Sequence, residues 1–408
     1  MIVDTPATKA ALAQHAPGPI EPKLPLAWLL ALTMSSFIII LTEVLPAGLL
    51  PQLATSLHST EAVMGQLITV YALGSLLTAI PLAAATQRVE RRTLLLTAMG
   101  GFAISNTVTA LSNSLPLIFV ARFVGGVAAG LAWAMMVGYA ARMVPASQKG
   151  RAIAIAMAGT PLALTVGIPA ATSVGNLVGW RMTFGMLSAL AVGLMVWIIT
   201  RLPVVTPDRA QAQQRVAGVF MLPGVRPILC ALLLYVLAHN ILYTYIAPLV
   251  TLARLGPRTG LLLLLFGAAA LLGLWLVGAL VDRWLRRLML MSTVLVLCAS
   301  ITLTLFPSAP TAVYLAVVVW GLAFGGAATL FVTSLSNASG PAQDVAQSMM
   351  TTTWNLAIFA GGLAGGLLLD GFGARALAPA AAASVFAALA IIWLSRHRSY
   401  WRGALATH

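Results

Sequence analysis

Apolar runs of about 20 residues follow one another along the chain, and the short segments between them hold nearly all of its charge. A run of that length matches an α-helix crossing the roughly 30 Å of bilayer hydrocarbon. The pattern predicts spans near 27–50, 62–85, 93–112, 116–140, 152–174 and 182–200, and a second set near 227–250, 259–281, 288–306, 312–336, 345–369 and 377–395. Between the sets, Arg201 to Gly218 is polar and contains proline, the composition of a connection. The expected architecture is an all-α integral membrane protein of twelve transmembrane helices in two pseudo-symmetric bundles. Residues 1–26 form a tail, 27–200 the first bundle, 201–226 a linker, 227–395 the second bundle and 396–408 a second tail.

The two sets are copies. GALVDRWLRR, Gly278 to Arg287, has a worn counterpart in AAATQRVERR, Ala83 to Arg92, 195 residues earlier. The same offset of 195 relates Gly65 to Gly260, Gly126 to Gly321, Gly130 to Gly325, Gln148 to Gln343 and Gly167 to Gly362. Duplicated helix sets are the usual plan of secondary transporters, whose site lies between the repeats.

Composition requires the same solvent. Of 408 residues 60% are hydrophobic and 8% charged, more apolar surface than a soluble core can hide. With both termini inside, the outer face receives only Arg181, Arg254, Arg258 and Arg375 among the loop cations, as the positive-inside rule demands. The net charge of +14 is then a consequence of topology and contact with anionic lipid, not a nucleic-acid footprint. The first residues lack the apolar run of a cleavable signal, so the first span is expected to direct insertion. Cys230 and Cys298 each lie within an apolar run and are expected to be buried, with no disulfide or metal framework and no cofactor.

Of nine acidic residues only Glu43 falls inside a span, in IIILTEVLPAGLLP ahead of Pro46 and Pro51. A charge at membrane depth costs on the order of 2.5 to 3.5 kcal/mol, so such a residue faces a cavity and has a function. A carboxyl that protonates in one conformation and ionises in another can couple proton flow to transport. The plainer alternative is a protonated Glu43 bonded to a backbone carbonyl freed by Pro46. Arg122 is the only base well inside a span, and counting about 1.5 Å per residue places it at the depth of Glu43 in the outer half. Separating the two, or admitting solute between them, would change the protonation of the carboxyl. The alternative for Arg122 is snorkelling to the outer headgroups.

Span seven carries His239, Asn240, Tyr243 and Tyr245 near its middle, and aligning Pro51 with Pro248 sets Asn240 opposite Glu43 across the repeat. Span eleven offers Trp354 and Asn355 at similar depth. Amides, phenols and a flat ring suit a hydroxylated solute, and Gln66, Tyr71 and Trp133 join them if their helix faces turn inward. Each aromatic alone also fits a packing role, and His239 either joins the proton path or is a neutral hydrogen-bonded imidazole. Glycines four apart in spans four, ten and eleven speak first to close helix packing. In span five, Pro169 would lose a backbone bond and bend the helix, a candidate gate.

The segment Gly278 to Arg287, with Asp282, Arg283, Arg286 and Arg287, resembles the loop signature of the major facilitator superfamily. The first-half copy departs, with Ala83, Gln87 and Glu90 where that family usually has Gly, Asp and Gly. Arg122 with Gly126, and the glycine-proline array before GWRMTF, resemble motifs of its drug:H+ antiporter branch. TEVLPAGLLP, QRVERR, VGIPAATSVGNLVGWRMTF and AHNILYTYIAPLV are similar to the bacterial sugar efflux transporters, with Ala247 where relatives tend to carry an acid. The resemblance implies a major facilitator fold, a gate built on Arg88, Arg91, Asp282, Arg283 and Arg286, an inner-membrane location, and export of sugars or related small polar solutes in exchange for protons.

A membrane enzyme would need a nucleophile and base, metal ligands or a phosphate loop, and the sequence has no HExxH, GxSxG, Walker A loop or paired Cys and His set. The expectation is a non-enzymatic, monomeric carrier whose partners are a small solute, protons and the bilayer. A multidrug exporter is the rival within transport, and a receptor or scaffold the rival outside it.

Overall fold

Each apolar run becomes a helix. The computed structural model describes residues 24–86, 89–145, 148–203 and 216–395, and among the described residues no strand occurs. Spans one to four are Leu26–Ser56, Glu61–Ala85, Arg91–Leu111 and Leu115–Arg142. Span five, Lys149–Val178, and span six, Trp180–Arg201, complete the first set. Span seven is Val225–Thr244, continued after a break at Tyr245 by Ile246–Thr251. Spans ten to twelve are Pro310–Ser339, Gln343–Phe372 and Leu377–Leu394.

Among the described residues eleven helices are long and apolar enough to cross a membrane, and one of them holds two spans. Thr259–Leu305 runs for 47 residues, more than twice the bilayer core at about 1.5 Å per residue. Only Trp284 leaves helical geometry, with φ −129° and ψ 28°, so 259–283 is span eight and 285–305 span nine. The loop expected at Gly278 to Arg287 is therefore absent. A single non-helical residue divides the two spans, and the basic signature stays helical around it. Between spans five and six the turn is equally short. Gly179, at φ 90°, is the one residue between Val178 and Trp180, a conformation that side chains rarely adopt.

The repeat seen in the sequence reappears as packing. A methyl group placed on Gly126 would lie 1.9 Å from the Tyr71 carbonyl oxygen, and one on Gly321 would lie 2.3 Å from that of Phe266. The equivalent positions for Gly130 and Gly325 meet the carbonyls of Ser75 and Ala270 at 3.0 and 1.9 Å. Each of these partners is again displaced by the repeat offset. Lipid tails are as apolar as leucine, so helices associate through close backbone approach, and only glycine permits it here.

Contacts between the two sets join span two to span eleven, span one to the end of span seven, and span five to span eight. Large apolar side chains cover the outer surface, including Leu177, Trp275, Phe372 and Leu394, as lipid contact requires. Cys230 and Cys298 belong to that surface. The expectation that they are buried fails because their helical register turns them outward, where hydrocarbon takes the place of protein neighbours.

Candidate functional site

Between the two sets lies a cavity of about 270 Å³. Spans one, two, four and five contribute Ile40, Glu43, Val44, Ile68, Trp133, Met157, Thr160 and Leu164. Spans seven, ten and eleven face them with His239, Asn240, Tyr243, Thr244, Phe324, Ala328, Met350, Thr351, Trp354, Asn355 and Ile358. Met157 lies toward the Lys149 and Arg151 end of span five, hereafter the basic end, and Met350 toward the start of span eleven, which the alternation of spans puts on the same side, so the cavity reaches that way. At the far end the halves are in contact.

Glu43 is 7% exposed and faces the cavity, and among the described residues its carboxyl has no hydrogen-bond or ion-pair partner. Arg122 stands behind it, fully buried. Its Nη2 donates to the Glu43 backbone carbonyl at 3.1 Å and its Nε to the Leu67 carbonyl at 3.5 Å. The guanidinium also lies 4.8 Å from the Tyr71 ring centre, within cation–π range. Nη1 has no partner. Snorkelling is thus not what Arg122 does, and Glu43 is not bonded to a carbonyl freed by Pro46. The base holds the helix that carries the acid and leaves the carboxyl itself free. Next to Glu43, Thr42 accepts from Asn106 Nδ2 at 3.1 Å, so a buried polar layer from span three fixes the same turn. Asn106, an amide inside an apolar run, is a signal the sequence itself carries, uncharged but polar.

The second half supplies rings. His239 stacks on Phe324 with centroids 3.5 Å apart and planes 6° apart, and Tyr243, Phe266 and Trp320 crowd the same group. Trp354 lies 6.1 Å from Phe324. Tyr243 Oη and His239 Nδ1 are buried without a partner. The amides are half-used: Asn240 Nδ2 donates to Val236 O at 2.9 Å and Asn355 Nδ2 to Thr351 O at 3.0 Å, which leaves both side-chain oxygens open. Phe324, between Gly321 and Gly325, gave no polar signal and was not anticipated.

Trp133, His239, Asn240, Tyr243, Trp354 and Asn355 therefore come together with Glu43 around one space. Gln66 and Tyr71 do not line it. Two helical positions before Ile68, Gln66 is about 200° around the helix and meets spans seven and eleven instead. Tyr71, on span two, is wedged between spans one and four, its Oη donating to Ile39 O at 3.3 Å. Among the gate residues, Arg88 lies outside the described residues. Arg91 is half-buried at the start of span three, Asp282 and Arg283 are exposed and Arg286 is half-buried. Among the described residues Asp282 makes no ion pair. Pro169 follows a π-helical turn, Ala163–Gly167, in which the Ile168 amide reaches back to Ala163 O. That turn, rather than the proline alone, deforms span five. It touches the other half, where Thr165 Oγ1 donates to Gly267 O at 3.1 Å.

Two kinked bundles around a seam cavity with a lone carboxyl match a known plan. The sequence matches the Major Facilitator Superfamily over residues 32–362 and 258–401. The chain belongs to that superfamily. As a Major Facilitator Superfamily protein it is a multi-pass membrane transporter and not an enzyme. Its fold is similar to the inward-open conformation of the xylose transporter XylE from E. coli, at TM-score 0.71 and 15% identity over 90% of this chain and 96% of that one. A D-xylose-proton symporter is similar at 0.74 and 17%, over 90% and 97%. A variant of the nucleoside transporter NupG is similar at 0.75 and 13%, over 90% and 99%.

Proposed function

We propose that this superfamily member is a proton-coupled exporter of sugars or related small polar solutes, working by alternating access at the inner membrane with both termini cytoplasmic. The observation that carries the reading is the Glu43 carboxyl, open to the cavity, without a partner and set beside a guanidinium that holds only its backbone. Residues 27–200 and 227–395 tilt as units about the seam. The conformation described, closed at the far end and hollow toward the basic end, is the inward-facing one. Glu43 takes a proton when the cavity opens outward, crosses neutral because an uncharged carboxyl is cheaper to bury, and releases the proton inward as solute takes its place. Solute hydroxyls are held by the open oxygens of Asn240 and Asn355, by Tyr243 and by His239, with a ring face against Trp354. The cavity sits at the small end of the roughly 300–1,000 Å³ usual for ligand sites, which suits a single-ring solute. The neighbours named for xylose and for nucleosides are in line with this. Arg88, Arg91, Asp282, Arg283 and Arg286 would close the basic end.

The test is efflux of labelled sugars from vesicles holding purified protein under an imposed pH gradient. Glu43→Gln is expected to abolish gradient-driven export while leaving folded protein, and undiminished coupled export would refute the reading. One observation favours a second reading, export of amphiphilic drugs: Phe324, Trp133, Met350 and Ile358 give the cavity long apolar walls. Growth inhibition by sugars and by lipophilic cations, with and without the protein, separates the two.

A further inference from the structure

We infer that Tyr245 is the latch that holds the far end closed. The helix of span seven breaks at this residue, φ −110° and ψ 32°, which turns its ring out of the second bundle toward the first. The phenol oxygen accepts from Gln66 Nε2 of span two at 2.8 Å and donates to the Gly362 carbonyl of span eleven at 2.8 Å. Gln66 Nε2 also donates to that carbonyl, at 3.1 Å. The ring occupies a slot that glycines make possible. A methyl group on Gly65 would lie 2.1 Å from its Cε1, one on Gly365 2.6 Å from its Cε2, and one on Gly366 2.7 Å from its Oη. One buried side chain thus joins three helices at the seam. Its phenol contacts to span two, from Gln66 at 2.8 Å and to the Ala62 carbonyl at 3.4 Å, exist only while the halves touch, whereas its bond to Gly362 lies within the second half.

The device exists on one seam only. With Pro51 set on Pro248, Tyr245 corresponds to Gly48, and at the offset of 195 Gln66 corresponds to Leu261, so among the described residues the seam of spans five and eight has no matching network. Opening the far end parts the Gln66 amide from the phenol and from the Gly362 carbonyl, while the phenol keeps its bond to Gly362 within the second half, and the balance between the two access states depends on that cost. Gln66 accordingly acts on conformation and not on solute. The inference rests on alternating access but on neither Glu43 nor the identity of the solute, so it is read without transport.

Thr69, 3% exposed and packed under Gly362, reports opening. In purified protein carrying Cys230→Ser, Cys298→Ser and Thr69→Cys, the rate of reaction with a water-soluble maleimide is measured with and without Tyr245→Phe. Tyr245→Phe removes one close hydrogen bond across the seam, whose net worth moves a two-state balance by roughly 2- to 10-fold, and labelling is expected to quicken by that factor. Gln66→Leu, which keeps the tyrosine, is expected to quicken it too and serves if Tyr245→Phe does not fold. Unchanged labelling in the folded variants overturns the latch. Loss of pH-driven export by Glu43→Gln with unchanged labelling leaves the latch standing, so the two readings fail separately.

Discussion

Replacing Arg122 with methionine separates a structural guanidinium from a functional one. Burying a lone cation costs several kcal/mol even after relaxation. Against that stand one good charge-assisted hydrogen bond, to Glu43 O at 3.1 Å, and a weak one to Leu67 O at 3.5 Å, together about 2–3 kcal/mol. The Tyr71 ring at 4.8 Å adds about 2 kcal/mol in a dry site. The terms nearly cancel, because the acceptors are neutral carbonyls and no carboxylate is left unpaired when the base goes. Arg122→Met is therefore expected to change unfolding stability by no more than about 2 kcal/mol, and the melting temperature in detergent by a few degrees. Export driven by a pH gradient in vesicles is expected to disappear, since the Glu43 carboxyl then loses the nearby positive charge of span four, among the described residues the one group through which the position of the neighbouring helices acts on its protonation. A fall of more than about 10 °C, or a stable variant with undiminished coupled export, would refute this division of labour.

Three further outcomes follow from the same geometry. Gly126→Leu is expected to abolish a monodisperse detergent peak, because its Cβ would sit 1.9 Å from the Tyr71 carbonyl, about 1.5 Å inside contact distance. Gly138→Leu in the same span, with nothing within 4 Å, should leave the peak unchanged. Trp354→Ala is expected to weaken solute binding roughly 2- to 10-fold, the value of one aromatic face at about 0.5–1.5 kcal/mol, read by titration calorimetry. An unaltered Kd would remove span eleven from the recognition surface. For Glu43→Gln, solute exchange without a gradient should survive while gradient-driven export is lost, and loss of both would point to a binding role instead.

The sequence by itself determined what the bilayer determines. Hydrocarbon admits only backbones that satisfy themselves, so run length fixed the helices to within a few residues, and the cost of buried charge singled out Glu43 and Arg122 before any coordinate. The 195-residue echo of glycines was readable as close packing, and the structure repeats it in the carbonyls they meet. Rotation about each helix axis and the meeting of the two halves belonged to tertiary structure alone. Apolar residues surround most of these helices, since lipid and protein interior are equally apolar, and periodicity then says little about facing. That is why Gln66 and Tyr71 were expected in the cavity and are packed elsewhere, why Cys230 and Cys298 face outward, and why Phe324 went unnoticed. The one-residue kink at Trp284 and the docking of Tyr245 among glycines from two distant helices depend on contacts that no local stretch encodes.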